Sequence, residues 1–391
     1  MIAKLDVDAV RSSLPVTQRL VYLNTGTAGP LPAPTVTAMA EAATVEAEGG
    51  RINHTGFQDL FDRLTELRAG LAAFVGAEPL EIAISHNTTD GMNIGVWSLP
   101  WQPGDRVVTT TLEHPGALLP LYLLHSRFGV EVDFADIGRG GRGEMLEAMA
   151  KAIRPGTKLV VVSHVTWGTG AVLPLREIAE LAHAAGALVL VDGAQSVGSI
   201  PVDMHADGVD FYAFSGQKWL CGPEGTGGIF VRADRADRFT PAFVGGFGVK
   251  HDETYKPNDP KAFEFAPGAQ RFEVGSVYRP AIYGLRASVE WRRALGDGTF
   301  AAIADLAGYC LERVGELPGV EVLTPNQQPV SGLVAFRLPG VDVAKVVEEM
   351  AAAGVAVRSI PDNQALRISC GFFNTRDEID KALGLLEAFR R

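Results

Sequence analysis

The sequence predicts an α/β fold with a mostly parallel, wound sheet and helices on both of its faces. Apolar strand-like runs alternate with helical segments along most of the 391 residues, which is typical of successive β–α units. Two of these runs, residues 187–191 and 209–214, end abruptly in polar residues. Because the carboxyl ends of parallel strands meet at one edge of such a sheet, these polar groups should lie together where ligands bind in this fold class.

The length of the chain predicts two domains of unequal size. With 391 residues there is enough chain for one large domain and a smaller one. We expect the large domain over residues 20–280, with a strand over 229–232 closing its sheet, and a smaller α+β domain formed by residues 1–19 and 281–391. The smaller domain should contain strands over 320–323, 332–338, 354–358 and 366–369 and helices over 341–353 and 376–389.

Composition excludes several classes of protein. The formal net charge of −11 argues against nucleic acid as a partner, which usually requires a basic face. No apolar run reaches the length of a membrane span, and the first residues have no signal-like apolar core, so we expect a cytoplasmic protein without a membrane segment. Three cysteines without CxxC spacing predict neither a disulfide framework nor a metal site, and they favour a reducing compartment.

The two central strands bring a carboxylate and an amine to the same edge of the sheet. The first strand ends at Asp192, and the second is followed by the SGQK tetrapeptide that ends at Lys218. Such a pair suits pyridoxal phosphate (PLP), whose aldehyde bonds a lysine amine and whose ring nitrogen an acid keeps protonated. Taken singly, the aspartate is as readily a turn cap and the lysine a surface charge. Together, and flanked by Gly193 and Gly216, they favour a ligand site.

These motifs resemble those of the class V aminotransferase family of PLP enzymes, which includes cysteine desulfurases, selenocysteine lyases and cysteine/cystine C–S lyases. The family pattern is a strand ending in D-x-A-Q and a later strand ending in S-x-H-K. The chain matches this pattern at Asp192, Ala194, Gln195, Ser215 and Lys218. It departs at Gln217, where the family usually has a histidine that bonds the cofactor phosphate. The resemblance implies PLP fold type I, Lys218 and Asp192 as catalytic residues, and cofactor contacts from Gln195, Ser215 and Gln217.

Three further segments resemble cofactor contacts of this family. Thr88 and Thr89 match the G-T-T-E motif that holds the phosphate, although an ordinary helix cap would look similar. His114 matches the E-H motif, whose histidine lies over the pyridine ring and can shuttle a proton, whereas a lone histidine is usually a loop residue. Ser276 matches the F-E-x-G-T turn, so the resemblance implies a homodimer in which Ser276 reaches the partner's cofactor phosphate.

The segment after the strand over 158–162 follows the pattern of the C–S lyase branch, S-H-x-x-W-x-T-G-x-V-L-P-L. His164 and Trp167 thereby become candidates for the cofactor and substrate pocket, while packing is an equal alternative for Trp167. Arg367 matches the carboxylate-binding arginine of the family, and Arg358 should lie beside it.

Two other segments have competing interpretations. Asn24, in a turn-rich YLNTG segment, is a candidate on the substrate side, although most of that segment should be a capped loop. Residues 138–143 read GRGGRG and formally match the dinucleotide motif GxGxxG. The following strand ends in Ser163 and His164 instead of the acid that would bind a ribose, so we interpret this stretch as a flexible Gly/Arg connection.

The choice between a desulfurase and a lyase depends on a thiol. In cysteine desulfurases a longer loop carries the attacking cysteine, whereas the stretch between Arg358 and Leu366 is short and has none. Cys370 lies beyond it and is expected to be a packed thiol, and neither Cys221 nor Cys310 is expected to carry a persulfide.

The sequence therefore predicts a PLP-dependent C–S β-lyase that acts on cysteine, cystine or an S-substituted cysteine and releases a thiol or persulfide, pyruvate and ammonia. Three alternatives stay open. The chain could be a desulfurase-like or selenocysteine lyase-like enzyme, a class V aminotransferase or epimerase acting on another amino acid, or a cofactor-binding protein without turnover.

Overall fold

The computed structural model describes residues 5–51, 54–252, 254–326, 330–360 and 364–389. The outermost ends of the predicted small domain, residues 1–4 and 390–391, lie outside these ranges. The helices are α1 Val7–Ser12, α2 Ala33–Gly49, α3 His54–Val75, α4 Thr88–Trp97, α5 Pro115–Phe128, α6 Arg142–Ala152, α7 Leu175–Ala184, α8 Met204–Asp207, α9 Arg279–Leu295, α10 Gly298–Gly315, α11 Val343–Ala352 and α12 Arg376–Phe389. The strands are β1 Val21–Tyr22, β2 Ile82–Ser85, β3 Arg106–Thr110, β4 Glu131–Ala135, β5 Thr157–Ser163, β6 Leu188–Asp192, β7 Phe211–Ser215, β8 Gly227–Val231, β9 Glu321–Val322, β10 Leu333–Arg337, β11 Val355–Ala356, β12 Arg358–Ile360 and β13 Ala365–Ser369.

A seven-stranded sheet lies at the centre of the larger part of the molecule, in the order β2-β8-β7-β6-β5-β3-β4. The pairs from β4 through β3, β5 and β6 to β7 are parallel, and β8 pairs antiparallel with both β7 and β2. This arrangement matches the predicted wound sheet. The expectation that the strand now numbered β8 closes the sheet was wrong, because β2 pairs along its outer side and forms the edge.

The two faces of this sheet are covered by different apolar clusters. The cluster to which each strand residue belongs shows the face on which the polar side chain at the strand end lies. Val191 and Tyr212 belong to the cluster on one face, and Leu190 and Ala213 to the cluster on the other. Since successive side chains of a strand point to opposite faces, Asp192, which pairs in register with Ala213, lies on the face of this second cluster. Helix α4 packs on this same face, so its first turn lies near the ends of β6 and β7.

A four-stranded antiparallel sheet, in the order β12-β13-β10-β9, forms the smaller part with α10, α11 and α12. The single strand expected over 354–358 is two strands, because β11 pairs with β1 and β12 pairs with β13. The domain boundaries stay a prediction. Over the described residues, no helix is both long and apolar enough to span a membrane.

The GRGGRG stretch connects the two parts of the molecule. Arg139 donates from Nη1 to the carbonyl oxygen of Val322 at 3.0 Å and from Nη2 to the Glu321 carboxylate at 2.7 Å, both on β9. Gly138 and Gly140 have φ values of 58° and 91°, a backbone conformation that glycine adopts without strain. We therefore interpret these glycines as turn residues that let an arginine reach the small sheet.

Candidate active site

A cavity of about 560 Å³ opens at the edge of the large sheet where β6 and β7 end. All of the predicted site residues line it except His164, Asn24 and Ser276. Its lining comprises Gly26, Thr27, Asn87, Thr88, Thr89, His114, Trp167, Asp192, Ala194, Gln195, Ser215, Gln217, Lys218, Glu224, Gly225, Arg358 and Arg367. The structure thus gathers residues from both sheets and from the first turn after β1.

Lys218 is half-buried in the cavity wall, and the pKa of its amine is well below the ordinary value. Burial lowers the pKa of Lys218 to about 8, with Asp192 opposing this shift. The positive charges of Arg367 and Arg358 lower it further. A lysine with such a pKa is partly neutral near physiological pH, so it can act as a nucleophile or a base.

Asp192 is almost completely buried at the end of β6. Its Oδ1 accepts a hydrogen bond from the backbone N–H of Ala194 at 2.9 Å, which fixes the turn that follows the strand. The expected turn-cap role and a ligand role are therefore compatible, because a carboxylate has further lone pairs available.

The start of α4 provides groups that suit an anion. Thr88 is the first residue of the helix, and its Oγ1 shares a 2.6 Å hydrogen bond with Oγ of Ser215 at the end of β7. Backbone N–H groups at a helix start carry partial positive charge. Thr89 and Gln217 line the cavity beside them, and within the described part of the chain the buried Oε1 of Gln217 has no hydrogen-bond partner. This end of the cavity can therefore hold a phosphate group.

His114 caps the N-terminus of α5 and faces Trp167. Its Nδ1 accepts a hydrogen bond from the backbone N–H of Gly116 at 3.0 Å, so the neutral ring carries its proton on Nε2. The rings of His114 and Trp167 meet edge to face, with centroids 5.2 Å apart. Burial lowers the pKa of His114, which favours the neutral ring near pH 7.

Two arginines from neighbouring strands converge at the other end of the cavity. Arg358 on β12 and Arg367 on β13 are direct Cα partners, and each donates to Oγ1 of Thr27, at 3.2 and 3.3 Å. Arg367 also donates from Nη1 to the carbonyl oxygen of Trp167 at 2.9 Å. Burial, with the charge of Arg358, lowers the pKa of Arg367 to about 9.

No carboxylate among the described residues forms an ion pair with either guanidinium, and Nε of the buried Arg367 has no partner there. Two buried or half-buried cations without an anion leave a strong requirement for negative charge at this place. A carboxylate would pair with one of these charges through the planar guanidinium fork, and the other would remain for a second anion.

Thr27 and Gly26 are site residues that the sequence analysis missed. Thr27 accepts from both arginines and donates to Oδ1 of Asn24 at 2.7 Å, so Asn24 supports Thr27 from behind instead of lining the cavity. A Cβ on Gly26 would lie 3.1 Å from Nη2 of Arg367. Both residues lie in the same turn as Asn24, but no local pattern in the sequence marks them as site residues.

His164 lies outside the cavity lining. Its Nδ1 is 2.9 Å from the hydroxyl of Tyr212, which also bonds Oγ of Ser196. Burial lowers the pKa of His164 to about 3, so the ring is neutral. Tyr212 belongs to the cluster on the sheet face opposite Asp192, and we therefore interpret His164 as a buried structural group.

Gln195 lines the cavity, but both ends of its amide bond the protein. Nε2 donates to the carbonyl oxygen of Gly26 at 2.8 Å, and Oε1 accepts from the indole of Trp219 at 2.9 Å. Ser276 lies elsewhere, in a second, more apolar cavity of about 670 Å³ together with Phe243 and Tyr278. Its contact with a partner's cofactor stays a prediction.

All three thiols are buried, and none of them lines the cavity. Burial raises the pKa of Cys221 to about 12, and a hydrogen bond with Cys370 together with burial raises the pKa of Cys310. Because the thiolate is the reactive form of cysteine, Cys221 and Cys310 should be unreactive in the folded protein, and burial keeps reagents from Cys370.

We predict that the native protein reacts with a disulfide reagent such as DTNB at pH 8 at least about 100-fold more slowly than the protein unfolded in guanidinium chloride, because reaction requires local opening. The unfolded protein should titrate three thiols. One rapidly reacting thiol in the native protein would contradict this expectation, and serine variants at the three positions would identify it.

Comparison with known proteins identifies relatives over nearly the whole chain. The family model described as Aminotransferase class-V matches residues 21–382. The cysteine desulfurase of Haloferax volcanii is 30% identical over 98% of this chain and 97% of its own, and the isopenicillin N epimerase of Streptomyces clavuligerus is 28% identical over 98% of both chains.

Two solved structures of C-DES are similar to this chain. The complex of the cystine C-S lyase C-DES with its reaction product, cysteine persulfide, has a TM-score of 0.90 at 30% identity, over 96% of this chain and 99% of that one. A C-DES mutant with glycine covalently linked to the PLP cofactor has a TM-score of 0.91 at 30% identity, over 97% and 99%. These likenesses confirm the predicted fold class.

Proposed function

This chain belongs to the aminotransferase class-V family, and from that premise we propose that it is a PLP-dependent C–S β-lyase of cysteine, cystine or an S-substituted cysteine. The products would be a thiol or persulfide, pyruvate and ammonia. The family resemblance inferred from the sequence is confirmed by the match over residues 21–382.

The residues in the cavity fit PLP as the cofactor. The first turn of α4, with Thr88, Thr89 and Ser215, suits the phosphate, and turning the Gln217 amide would add its N–H donors to that end. Asp192 is the buried acid that a ring nitrogen requires. When bound, PLP supplies an electron sink that makes the Cα–H bond of an attached amino acid acidic.

The protein's own groups can then perform the proton transfers. The amine of Lys218, with its pKa of about 8, can accept the Cα proton once it is free. The guanidinium of Arg367 would hold the substrate carboxylate and so orient the Cα–H bond toward that amine. The Nε2–H of neutral His114 would donate a hydrogen bond to the departing sulfur, and the amine of Lys218, protonated after it takes the Cα proton, would supply the proton itself.

The observation that carries the choice of a lyase is the absence of a thiol from the cavity. Residues 359–365 contain no cysteine, and Cys221, Cys310 and Cys370 are buried away from the cavity lining. Direct attack on substrate sulfur therefore has no nucleophile, whereas β-elimination requires only the base and the acid described above.

The test is to load the purified protein with PLP and supply cystine and S-substituted cysteines. We expect pyruvate and ammonia in equal amounts with the released thiol or persulfide. If ³⁵S from labelled cysteine stayed bound to the protein while alanine formed, the protein would be a desulfurase. Transfer of the amino group to an added keto acid would identify a transaminase, and inversion at Cα without sulfur release an epimerase.

A cysteine desulfurase is the second candidate, because that is the printed function of the Haloferax volcanii relative. It would require one of the buried thiols to reach the cavity. Borohydride trapping shows whether the cofactor is attached to a lysine, but a binding protein without turnover could also give this result. Product formation must therefore be measured in the same sample.

We also propose that the protein is a cytoplasmic homodimer in which Ser276 reaches the phosphate of the cofactor bound to the partner. Each subunit would have a large domain over residues 20–280 and a small domain formed by residues 1–19 and 281–391. Support for the dimer comes from the exposed aromatic side chains Phe243 and Tyr278, which are 68% and 64% exposed beside Ser276. The acidic net charge of −11 gives no reason to expect nucleic acid.

Arg358 should favour substrates that carry a second carboxylate on the sulfur substituent, as cystine does. Its guanidinium shares Thr27 with Arg367, so it can bind a second anion while Arg367 holds the first. We predict that Arg358→Gln lowers kcat/KM for cystine by roughly tenfold and for S-methylcysteine by much less. The reason is that only cystine would lose a charged hydrogen bond to its second carboxylate. Equal losses on both substrates would contradict a role in recognising the second carboxylate.

A further inference from the structure

Glu113 is a buried carboxyl group that the proposed reaction does not use. It directly precedes His114 and is 4% exposed. Oε1 accepts a hydrogen bond from Oγ1 of Thr110 at 2.7 Å, and Oε2 accepts one from Oγ of Ser163 at 2.6 Å. Neither oxygen meets a cation among the residues that the structure describes. Burying an acid that only two hydroxyls stabilise costs folding free energy. This cost indicates that the hydrogen bonds of Glu113 have a role in the site.

The two hydroxyls belong to the last residues of neighbouring parallel strands. Thr110 ends β3 and Ser163 ends β5, and Ser163 is in register with Asp192 on β6. Thr110 also accepts from the backbone N–H of Leu112 at 3.2 Å, so the turn between β3 and α5 is closed from within. The Glu113 carboxyl therefore joins two strand ends below the turn that carries the site histidine.

The backbone of Glu113 continues this connection across the cavity. Its carbonyl oxygen accepts from the indole Nε1 of Trp167 at 3.3 Å. The carbonyl oxygen of Trp167 in turn accepts from Nη1 of Arg367 at 2.9 Å. Trp167 thus connects the turn that carries His114 to Arg367 at the other end of the cavity.

We propose that Glu113 is a positioning residue, whose carboxyl joins the ends of β3 and β5 and so fixes His114 and Trp167 in the cavity. The proposal rests on the proposed lyase function for its kinetic consequences but not for its structural ones. Burial raises the pKa of Glu113 to about 7 against the opposing effect of the Ser163 and Thr110 hydroxyls, and Asp192 adds a smaller increase. Both charge forms keep an acceptor, so the hydrogen bonds and not the charge would do the positioning.

Glutamine and alanine at this position separate hydrogen bonding from charge. In Glu113→Gln the amide oxygen can accept from Thr110 and the amide nitrogen can donate to Ser163, so both bonds persist without a charge. In Glu113→Ala both bonds are lost. Glu147→Gln, an exposed glutamate on α6, is the matched control.

The first readout uses cofactor-free protein and does not depend on activity. Hydrogen exchange of the backbone amides of residues 112–114, 116 and 117, and the ¹⁹F signal of Trp167 in fluorotryptophan-labelled protein assigned with Trp167→Phe, report the turn directly. We expect Glu113→Ala to exchange roughly tenfold faster and to shift the Trp167 signal, while Glu113→Gln stays near wild type. The second readout is pyruvate release, for which we expect roughly a tenfold fall in kcat for Glu113→Ala and restoration in Glu113→Gln.

Three results would overturn the proposal. In the first, Glu113→Ala leaves both the exchange rates and the Trp167 signal unchanged. In the second, Glu113→Gln behaves like Glu113→Ala, which would make the charge decisive. In the third, Glu113→Ala accelerates exchange over the whole molecule equally, which would indicate general destabilisation. If wild type released no pyruvate while the cofactor-free readouts responded as expected, the proposed function would fail and the positioning role would stand.

Discussion

Replacing Lys218 with alanine should lower C–S lyase turnover by about 10²–10⁴-fold, the usual contribution of a positioned acid–base group. The reason is that one amine performs two tasks, covalent attachment of the cofactor and acceptance of the Cα proton. Its pKa of about 8 makes both possible near neutral pH, because a substantial fraction is unprotonated. Steady-state pyruvate release measures the loss.

Borohydride reduction gives this prediction an independent check. Reduced wild-type protein should carry the cofactor on the peptide that contains Lys218, and the alanine variant should carry none. Lys345→Ala, at a lysine whose side chain is 71% exposed, is the control and should match wild type. Lys218→Arg retains the charge but cannot supply a neutral amine, so it should be as inactive as alanine. Turnover above about a tenth of wild type in either variant would contradict the assignment.

The site residues that lie at the ends of strands or at the start of a helix could be predicted from the sequence. Asp192 is the last residue of one fully buried strand and Lys218 lies shortly after another, and the rule that parallel strands end at one sheet edge is enough to bring them together. The first turn of α4 was equally visible, because hydroxyl residues at Thr88 and Thr89 follow a strand and precede a helical run. In each case local sequence decides the position.

The parts that were missed depend on contacts between distant residues. Thr27 bonds Arg358 across 331 positions of the chain, and no local pattern distinguishes it from its neighbour Thr25. The face on which His164 lies depends on its position just past the end of β5, where the pairing of Ser163 with Asp192 assigns the adjacent residue to the other side. A motif gives the residue type, but only the register gives the face.

Helix α3 has a leucine spacing that is visible in the sequence but was not used to predict the helix. Leu60, Leu64, Leu67 and Leu71 recur at the spacing of one helical face, and all four are buried in the large core. The helix places Arg68 against Glu273, with contacts of 3.0 and 2.6 Å, and Glu273 in turn accepts from the backbone N–H of Ile84. Helix α3 therefore anchors the turn that ends at Ser276.

Arg367→Gln should raise KM for every amino acid substrate more than it lowers kcat. Removing one partner of a buried charged pair costs about 2–5 kcal/mol, or roughly 30- to 5,000-fold in substrate binding. The buried guanidinium would form this pair with the carboxylate that all amino acid substrates share, so the loss should not depend on the sulfur substituent. Arg367→Lys keeps the charge but loses the planar fork, and we expect it to recover only part of the loss. Arg154→Gln, on an exposed arginine, is the control.

The same variant should also change the acid–base behaviour of Lys218, and this effect is independent of substrate. The charge of Arg367 lowers the pKa of Lys218 because two nearby cations repel each other. Removing that charge stabilises the protonated amine, so the pKa of Lys218 should rise and the pH at which cofactor-free protein combines with PLP should move upward. Spectroscopic titration of PLP binding from pH 6 to 10 would measure this shift. A loss of substrate binding without an upward shift would mean that Arg367 and Lys218 do not share one cavity, and the proposed substrate orientation would then be wrong.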